Sequence, residues 1–248
     1  MKKLMMLWLL GASLASSGAV ANQKEEPQGI SFYVLRVIFP EKEKKGVTLT
    51  ANNKTQNVYL MQSWIQPVDV KTGGVLPHDG QTPMPFIVTP PLQRLDPGDA
   101  LTLRIRRTQV ALPEDRESVF FISLKAIPLQ QGQEQSTVSQ QLTLTVVSNL
   151  KLFYRPKSLE PRAVAEVAHQ LRFRREGQRL IAENPTPYWL TFSRLKIGND
   201  LLDKARLRVM VPPKGQQAYV LPDQAAGEVS WQLIDEDGWD TPWQRQAL

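Results

Sequence analysis

Cysteine is absent from this chain of 248 residues, and histidine occurs only twice. The missing cysteine excludes disulfide scaffolds and thiolate metal sites. Neither His78 nor His169 sits in the spacing of a metal pair or a catalytic triad. The chain also has no glycine-rich phosphate loop, nucleophile elbow or zinc signature. We therefore expect no catalytic residues, no metal and no cofactor.

Long apolar runs are scarce as well, and the one at the N-terminus is short. Lys2 and Lys3 precede the apolar stretch 4–14, and small residues at 19–21 come before polar Asn22. This arrangement is typical of a secretory signal peptide that is removed after residue 21. No later segment is apolar over the roughly 18 residues that a membrane span needs, so we expect no membrane insertion. A secreted chain without cysteine fits the bacterial periplasm.

Charge of one sign does not dominate the chain. Its 30 lysines and arginines are scattered among 24 aspartates and glutamates, for a net charge of +6. The two small arginine groups, at 104–107 and 172–175, alternate with other residues as one solvated face of a strand does. Because the chain is also expected to be secreted, we predict no nucleic-acid partner.

Short stretches that alternate apolar and polar residues fill the rest of the chain. Examples are 47–50 (VTLT), 101–106 (LTLRIR) and 142–146 (LTLTV). Turn residues such as Gly73-Gly74 and Pro97-Gly98 separate these stretches, and no long segment keeps a helical stripe. The pattern predicts an all-β protein built of antiparallel sandwiches.

The length of the chain predicts two such sandwiches. One sandwich of this class takes about 100 residues, and the polar segment 157–162 follows the apolar residues 152–154. We therefore predict a signal peptide at 1–21, a first domain at 22–155 and a second domain at 156–248.

The same alternation predicts several core residues. Trp64 fits the buried aromatic residue of a central strand, which is a packing role. Residues 190–192 and 229–233 alternate likewise, so we expect their apolar side chains in the core of the second domain.

Six short motifs lie in order along almost the whole chain after residue 21. They are 36–39 (RVIF), 62–65 (QSWI), 85–91 (PFIVTPP), 112–128 (which begins LPEDRESVFF and ends AIP), 151–156 (KLFYRP) and 184–188 (NPTPY). Together they resemble the periplasmic pilus and fimbrial chaperones, the PapD-like family. The resemblance implies two immunoglobulin-like β-sandwich domains in a boomerang arrangement, with a periplasmic location.

The resemblance also implies a way of working. The partners of such chaperones are exported pilus or fimbrial subunits, which are sandwiches that lack their last strand, and an outer-membrane usher that receives them. The chaperone lends the missing strand, so its main-chain hydrogen bonds satisfy the subunit while alternate side chains fill the groove. An uncovered edge strand also makes self-association of the free chaperone plausible.

The segment 141–150 is the candidate for the lent strand. Leu142, Leu144 and Val146 alternate with threonines, and family correspondence places these three donor residues in the subunit's groove. Alternation alone fits any half-buried strand, but this stretch lies between a polar loop at 130–140 and Lys151. The short, cysteine-free loop resembles the short-loop branch of the family.

Two basic residues are the candidates for an anion clamp. The family motifs place Arg36 and Lys151 in the cleft, where they would hold the C-terminal carboxylate of the subunit. Arginine presents a planar fork of donors and lysine a mobile ammonium, and a carboxylate accepts from both. Alternation puts Lys151 on the face opposite to the donor residues, so we expect strand twist or a bulge to aim it.

An ion-pair network between the domains is the third implication of the resemblance. Glu117 and Arg155 would be two members, and an acid late in the second domain would be the third. The chain has three acids in a row at 235–237, of which Glu236 is the motif-aligned choice. Consecutive acids point in different directions, which argues against a divalent metal site there.

A different class of protein remains as an alternative at this stage. A secreted immunoglobulin-like surface-binding or adhesin module is built on the same sandwich, and the fold alone does not exclude it. Such a module carries its binding site on loops and needs neither an anion clamp nor a lent strand.

Overall fold

The computed structural model describes residues 29–129, 145–223 and 225–248. The predicted signal peptide, 1–21, lies outside these ranges. The strands form two groups, which we call the first and the second sandwich. The first comprises β1 (Ile30–Phe32), β2 (Arg36–Pro40), β3 (Val47–Asn53), β4 (Tyr59–Pro67), β5 (Phe86–Thr89), β6 (Leu92–Leu95), β7 (Ala100–Arg107), β8 (Ser118–Pro128) and β9 (Val146–Arg155).

The second sandwich follows a polar connection and begins with one short helix. Its elements are α1 (Val164–Val167), β10 (Arg172–Glu176), β11 (Arg179–Asn184), β12 (Phe192–Ile197), β13 (Asp200–Leu201), β14 (Gly215–Val220), β15 (Val229–Leu233) and β16 (Gln244–Gln246), with 3₁₀ helices at Ala168–Gln170 and Arg206–Arg208. The predicted all-β class is confirmed. No helix in the described ranges has the length and apolar character to cross a bilayer.

Each sandwich consists of two sheets. In the first, a sheet of order β1-β3-β7-β5 faces one of order β2-β9-β8-β4-β6; in the second, β10-β11-β14 faces β13-β12-β15-β16. Neighbouring strands pair antiparallel except β2 and β9, which run parallel. This parallel pair ends the larger sheet of the first sandwich, and it positions the site described below.

Period-two alternation explains why these segments form half-buried strands. In β7, Leu101, Leu103 and Ile105 are buried, while Arg104 and Arg106 are exposed, so one face packs on the core and the other meets water. The predicted second-sandwich core is also confirmed. Its members at 190–192 and 229–233 include Leu190, Phe192, Val229, Trp231 and Leu233, all of them buried.

The prediction for Trp64 is wrong. The buried residues of β4 are Met61, Ser63 and Ile65, so alternation turns Trp64 to the other face, where it is only half-buried. The largest fully buried aromatic residue is instead Trp231 in the second sandwich, whose indole N–H donates to the carbonyl of Ala168 at 3.1 Å.

The two sandwiches have separate cores and a small shared one. One buried cluster draws only on residues up to 154, and another only on residues from 163 onward. Between them, Val119 and Phe153 of the first sandwich pack against Met210 of the second. The exact domain limits, 22–155 and 156–248, stay a prediction.

Candidate functional site

The parallel pairing of β2 and β9 places Arg36 directly beside Lys151. Strands in a sheet lie about 4.8 Å apart, so the two cations are neighbours on one face. Val37 and Leu152, the next residues, face the core of the first sandwich. Arg36 and Lys151 therefore point away from that core and toward the second sandwich.

This arrangement corrects the expectation that twist or a bulge aims Lys151. The register of β9 with β8 runs from Val146 to Tyr154 without a shift, and so does its register with β2. Regular alternation alone directs Lys151 toward the second sandwich, because the cleft lies on the face opposite to the core.

Arg36 is held between the two sandwiches. It is 8% exposed, its Nη1 donates to the carbonyl of Ile234 at 2.9 Å, and its guanidinium carbon lies 5.2 Å from the centroid of the Phe153 ring. Its Nε has no hydrogen-bond partner among the described residues. Burial lowers the pKa of Arg36 to about 10, against the attraction of Glu117 and Glu236. The guanidinium thus stays charged at neutral pH with a donor to spare.

Lys151 has repulsive surroundings. Burial and the neighbouring cations Arg36 and Arg208 lower its pKa to about 8. Within the described ranges its ammonium forms no ion pair. A cavity of about 490 Å³ opens beside it, walled by residues of the second sandwich such as Phe192 and Ile234. Lys151 thus borders an open cavity beside the guanidinium of Arg36, and two such donors could together contact an anion through charge-assisted hydrogen bonds.

The edge of β9 is uncovered beside this site. β9 pairs with β8 along Val146–Tyr154 but with β2 only along Lys151–Arg155. Its other side from 146 to 150 therefore has no strand partner among the described residues. Val146 is 63% exposed and shares a face with Leu150, which is 7% exposed. The predicted donor residues Leu142 and Leu144 lie outside the described ranges.

Arg155 connects the other two residues of the predicted ion-pair network, Glu117 and Glu236. Its Nη2 and Nε donate to Glu117 Oε1 at 2.6 and 2.9 Å, and its Nη1 donates to Glu236 Oε1 at 2.8 Å. The side chains are 2%, 1% and 9% exposed for Arg155, Glu117 and Glu236. A charge-assisted network in the interior is therefore present across the two sandwiches.

The two carboxylates of the network differ electrostatically. Burial raises the pKa of Glu117 despite the charge of Arg155. Burial opposes ionisation of Glu236 too, but hydrogen bonds from Arg155 and from the Ala163 N–H lower its pKa overall. Arg155 donates two hydrogen bonds to Glu117 and one to Glu236, so both carboxylates depend on this one cation.

The three consecutive acids point in three directions. Glu236 meets Arg155. Asp235 Oδ1 accepts from the backbone N–H groups of Asp237 and Trp239 at 3.0 and 2.8 Å, and Asp237 pairs with Arg162 in an exposed ion pair. Each acid has its own partner, which resolves the choice among them in favour of Glu236 as the neighbour of Arg155.

Some residues of the site could not be found by reading motifs. Trp189 donates its backbone N–H to Glu117 Oε2 at 2.9 Å and its indole N–H to the Glu117 carbonyl at 3.1 Å. Arg208 and Ile234 also reach the cleft. The only signal for Trp189 is its position next to the motif 184–188, and Arg208 has no signal at all because the approach of the two sandwiches brings it there.

Comparison with known proteins agrees with this geometry. The family described as "Pili and flagellar-assembly chaperone, PapD N-terminal domain" matches residues 29–160. The one described as "Pili assembly chaperone PapD, C-terminal domain" matches residues 166–244. The chain belongs to the PapD family of pilus-assembly chaperones. This confirms the predicted resemblance to the PapD-like chaperones and the predicted pair of immunoglobulin-like sandwiches. The alternative prediction, an adhesin module, is not supported.

Individual relatives of this chaperone cover nearly the whole chain. The chaperone protein FimC of Escherichia coli is 37% identical over 238 residues, 94% of this chain and 90% of FimC. LpfB of Salmonella typhimurium is 34% identical and covers 89% of each chain. The crystal structure of the E. coli chaperone DraB has a TM-score of 0.74 at 32% identity, covering 89% of this chain and 98% of DraB.

Some of the similar solved structures include a partner. The Salmonella enterica SafB chaperone, in complex with the SafA pilin, has a TM-score of 0.74 at 26% identity and covers 90% of this chain and 98% of the matched one. None of these likenesses tests single residues. The roles of Arg36, Lys151 and the donor residues in this chaperone stay predictions, as does its place in the short-loop branch.

Proposed function

We propose that this chaperone works in the periplasm, where it binds exported pilus or fimbrial subunits in the cleft and delivers them to an outer-membrane usher. Family membership and the pilin complex of SafB support the capture of subunits. The chaperone acts by binding alone, without a catalytic residue or a cofactor. The hand-over is driven by folding of the subunit once its groove receives the strand of the next subunit.

The observation that carries this proposal is the uncovered edge of β9 next to two cations. Val146 continues the face of Leu150 and Leu152, which belong to the chaperone's own core. Leu142 and Leu144 have the same parity. A subunit that pairs with the predicted donor segment, of which 146–150 is the uncovered edge, would thus join its groove to this face as one apolar layer. Its unpaired backbone groups would gain hydrogen-bond partners.

The cations set the register of that pairing. A carboxylate placed between Arg36 and Lys151 would accept charge-assisted hydrogen bonds, worth about 1.5–3 kcal/mol each, and it would relieve the repulsion between the two cations. Because a chain has only one C-terminus, anchoring it here determines which subunit residue meets each donor residue.

Two adjacent valines test strand donation. Val146 and Val147 are both exposed, at 63% and 45%, but they lie on opposite faces of β9. When the chaperone is co-expressed with a pilin subunit that the parent protein recovers, Val146→Glu should abolish co-purification of the subunit because a charge in an apolar groove is costly. Leu144→Glu should do the same.

The matched control is Val147→Glu, which introduces the same charge one residue away. We expect it to recover subunits as the parent does, and circular dichroism should show that all three variants are folded. Equal recovery with Val146→Glu and Val147→Glu would contradict donation through this face.

The anion clamp is tested separately. Arg36→Ala or Lys151→Ala should leave the protein folded and abolish the recovery of subunits. An undiminished yield of subunits with both changes would contradict the clamp.

A further inference from the structure

The second sandwich contributes a separate group of cations to the cleft. The cavity beside Lys151 is bordered by Arg194, Lys204 and Arg208 and by one acid, Asp240. Arg194 Nη2 lies 3.9 Å from Asp240 Oδ2, and both side chains are about half exposed, so water weakens their attraction. In the part of the chain that the structure describes, Lys204 and Arg208 form no ion pair. The cavity therefore has an excess of positive charge beyond Arg36 and Lys151.

Two hydroxyl groups of the same wall lack partners. Thr191 is 5% exposed, and its Oγ1 is buried without a hydrogen bond to any described residue, as is the Oγ of Ser193. Both residues border the cavity. A buried donor without an acceptor costs free energy, so the wall of the cavity is not fully satisfied within the described residues.

Arg208 connects this group to the clamp. An added Cβ at Gly74 of the first sandwich would lie 3.3 Å from Arg208 Nη2, so the guanidinium reaches the loop across the cleft. Its charge also repels the Lys151 ammonium. Cations gathered in this way repel one another while the cleft is empty, and each negative charge that enters reduces the repulsion.

We propose that the cleft binds its guest through two negative charges, the C-terminal carboxylate at Arg36 and Lys151 and an aspartate or glutamate side chain near the guest's C-terminus at Lys204 and Arg208. This inference rests on the proposed function, because the clamp is what brings a chain end into the cavity. The guest's acid supplies acceptor oxygens for the donors of Lys204 and Arg208. The chaperone thus prefers subunits with an acidic residue close to the end of the chain.

Synthetic peptides with matched ends test this preference. The full mature chaperone, ¹⁵N-labelled, is titrated by NMR with short valine–threonine peptides that carry one glutamate or one glutamine at the third, fourth or fifth position from a free C-terminus. At one of these positions we expect the glutamate peptide to bind about three- to tenfold more tightly, and this ratio should fall in high salt. Equal affinity for both peptides at all three positions would overturn the proposal.

Charge-matched variants assign the preference to these residues. Arg208→Gln and Lys204→Gln should each bring the glutamate-to-glutamine ratio close to one. Arg206→Gln, in the same 3₁₀ helix, removes the same charge outside the cavity, because Arg206 donates to the Val220 carbonyl on the surface, and it should leave the ratio unchanged. A ratio that persists in Arg208→Gln and Lys204→Gln would overturn the assignment.

Two further experiments distinguish a failure of this inference from a failure of the proposed function, and binding of a peptide side chain from binding of a free anion. Amidating the peptide's C-terminus tests only the clamp, so a loss of affinity upon amidation together with equal binding of glutamate and glutamine peptides would overturn the second-charge site alone. Unchanged affinity upon amidation would contradict the clamp. Inorganic phosphate should compete with the glutamate side chain only weakly, and strong competition at low phosphate concentration would point to a free anion as the ligand instead.

Discussion

The ammonium of Lys151 has an unfavourable place in the empty chaperone. It is half-buried beside Arg36 and Arg208, and its pKa falls from an ordinary 10.5 to about 8. A group whose pKa is lowered by folding binds protons more weakly in the folded chain than in the unfolded one. Strongly shifted pKa values of this kind are common at functional sites, which agrees with the proposed role of Lys151 in binding.

Removing this charge should stabilise the free chaperone. Below pH 8 the penalty of the buried ammonium is present in full, and between pH 8 and 10.5 it disappears, because there the unfolded chain holds the proton and the folded chain does not. We expect Lys151→Met to unfold at a higher temperature than the parent at pH 7, with the difference shrinking steadily from pH 8 to 10.5. Calorimetry across this range measures the difference.

An exposed lysine provides the control for that experiment. Lys204→Met removes a cation at the rim of the same cavity, but the side chain of Lys204 is exposed to solvent. Its effect on stability should be within about 0.5 kcal/mol and nearly constant with pH. A Lys151→Met variant that is less stable than the parent at pH 7 would show that the ammonium has an attractive partner in the free protein.

The sequence predicted the residues of this site but not their surroundings. Motif positions predicted Arg36, Lys151, Glu117, Arg155 and Glu236, and the structure brings these together in two groups. What the motifs could not supply is the surroundings. The repulsion from Arg208, for example, depends on how closely the second sandwich approaches, and no pattern within one strand reports that distance.

At the scale of elements, period-two alternation was a sound guide to which segments form strands. The prediction was wrong for the buried face of β4. It chose Trp64 because the side chain is large and aromatic, although Trp64 alternates with the buried residues Met61 and Ile65 and so lies on the other face. It also left open how Lys151 is aimed, because alternation says which residues share a face but not what each face meets. The neighbouring sandwich decides that.

The loop after β4 shows the same limit. Gly73 and Gly74 suggest a turn, and Gly73 indeed has a φ of +67°. What the sequence does not reveal is its neighbour. A Cβ at Gly73 would overlap the Arg208 carbonyl oxygen and lie 2.8 Å from the Val209 nitrogen. The loop is therefore a contact between the sandwiches as well as a turn.

A pair of glycine substitutions separates these two roles. Gly80 also has a positive φ, +75°, but a Cβ there would meet no atom within 4 Å. Both Gly73→Ala and Gly80→Ala place alanine in the left-handed region, which costs about 1–2 kcal/mol. We expect Gly73→Ala to lose more stability than Gly80→Ala in urea unfolding, and it alone should change the small-angle scattering curve, because the second sandwich must shift. Identical effects of both substitutions would mean that the loop contact does not hold the sandwiches.

The whole molecule depends on how two sandwiches with separate cores are held at one angle. Their shared apolar cluster is small, so polar contacts carry much of the junction. Arg155 is central to them, since it pairs with Glu117 in the first sandwich and Glu236 in the second and lies over the Tyr188 ring at 4.8 Å. Because Arg36, Lys151 and the uncovered edge of β9 belong to the first sandwich and most of the cavity wall to the second, this angle sets the width of the cleft.

Removing the charge of Arg155 should let the angle between the two sandwiches vary. Arg155→Met leaves two carboxylates buried without their counter-charge, which typically costs about 3–5 kcal/mol. We expect both sandwiches to keep their circular dichroism, because their cores are separate, while the radius of gyration from small-angle scattering increases and subunit capture weakens. The control is Arg162→Met, whose ion pair with Asp237 is 69% and 49% exposed and is therefore worth at most about 1 kcal/mol. If Arg155→Met kept the scattering curve of the parent, the shared apolar cluster would be sufficient to hold the angle, and the network would contribute stability alone.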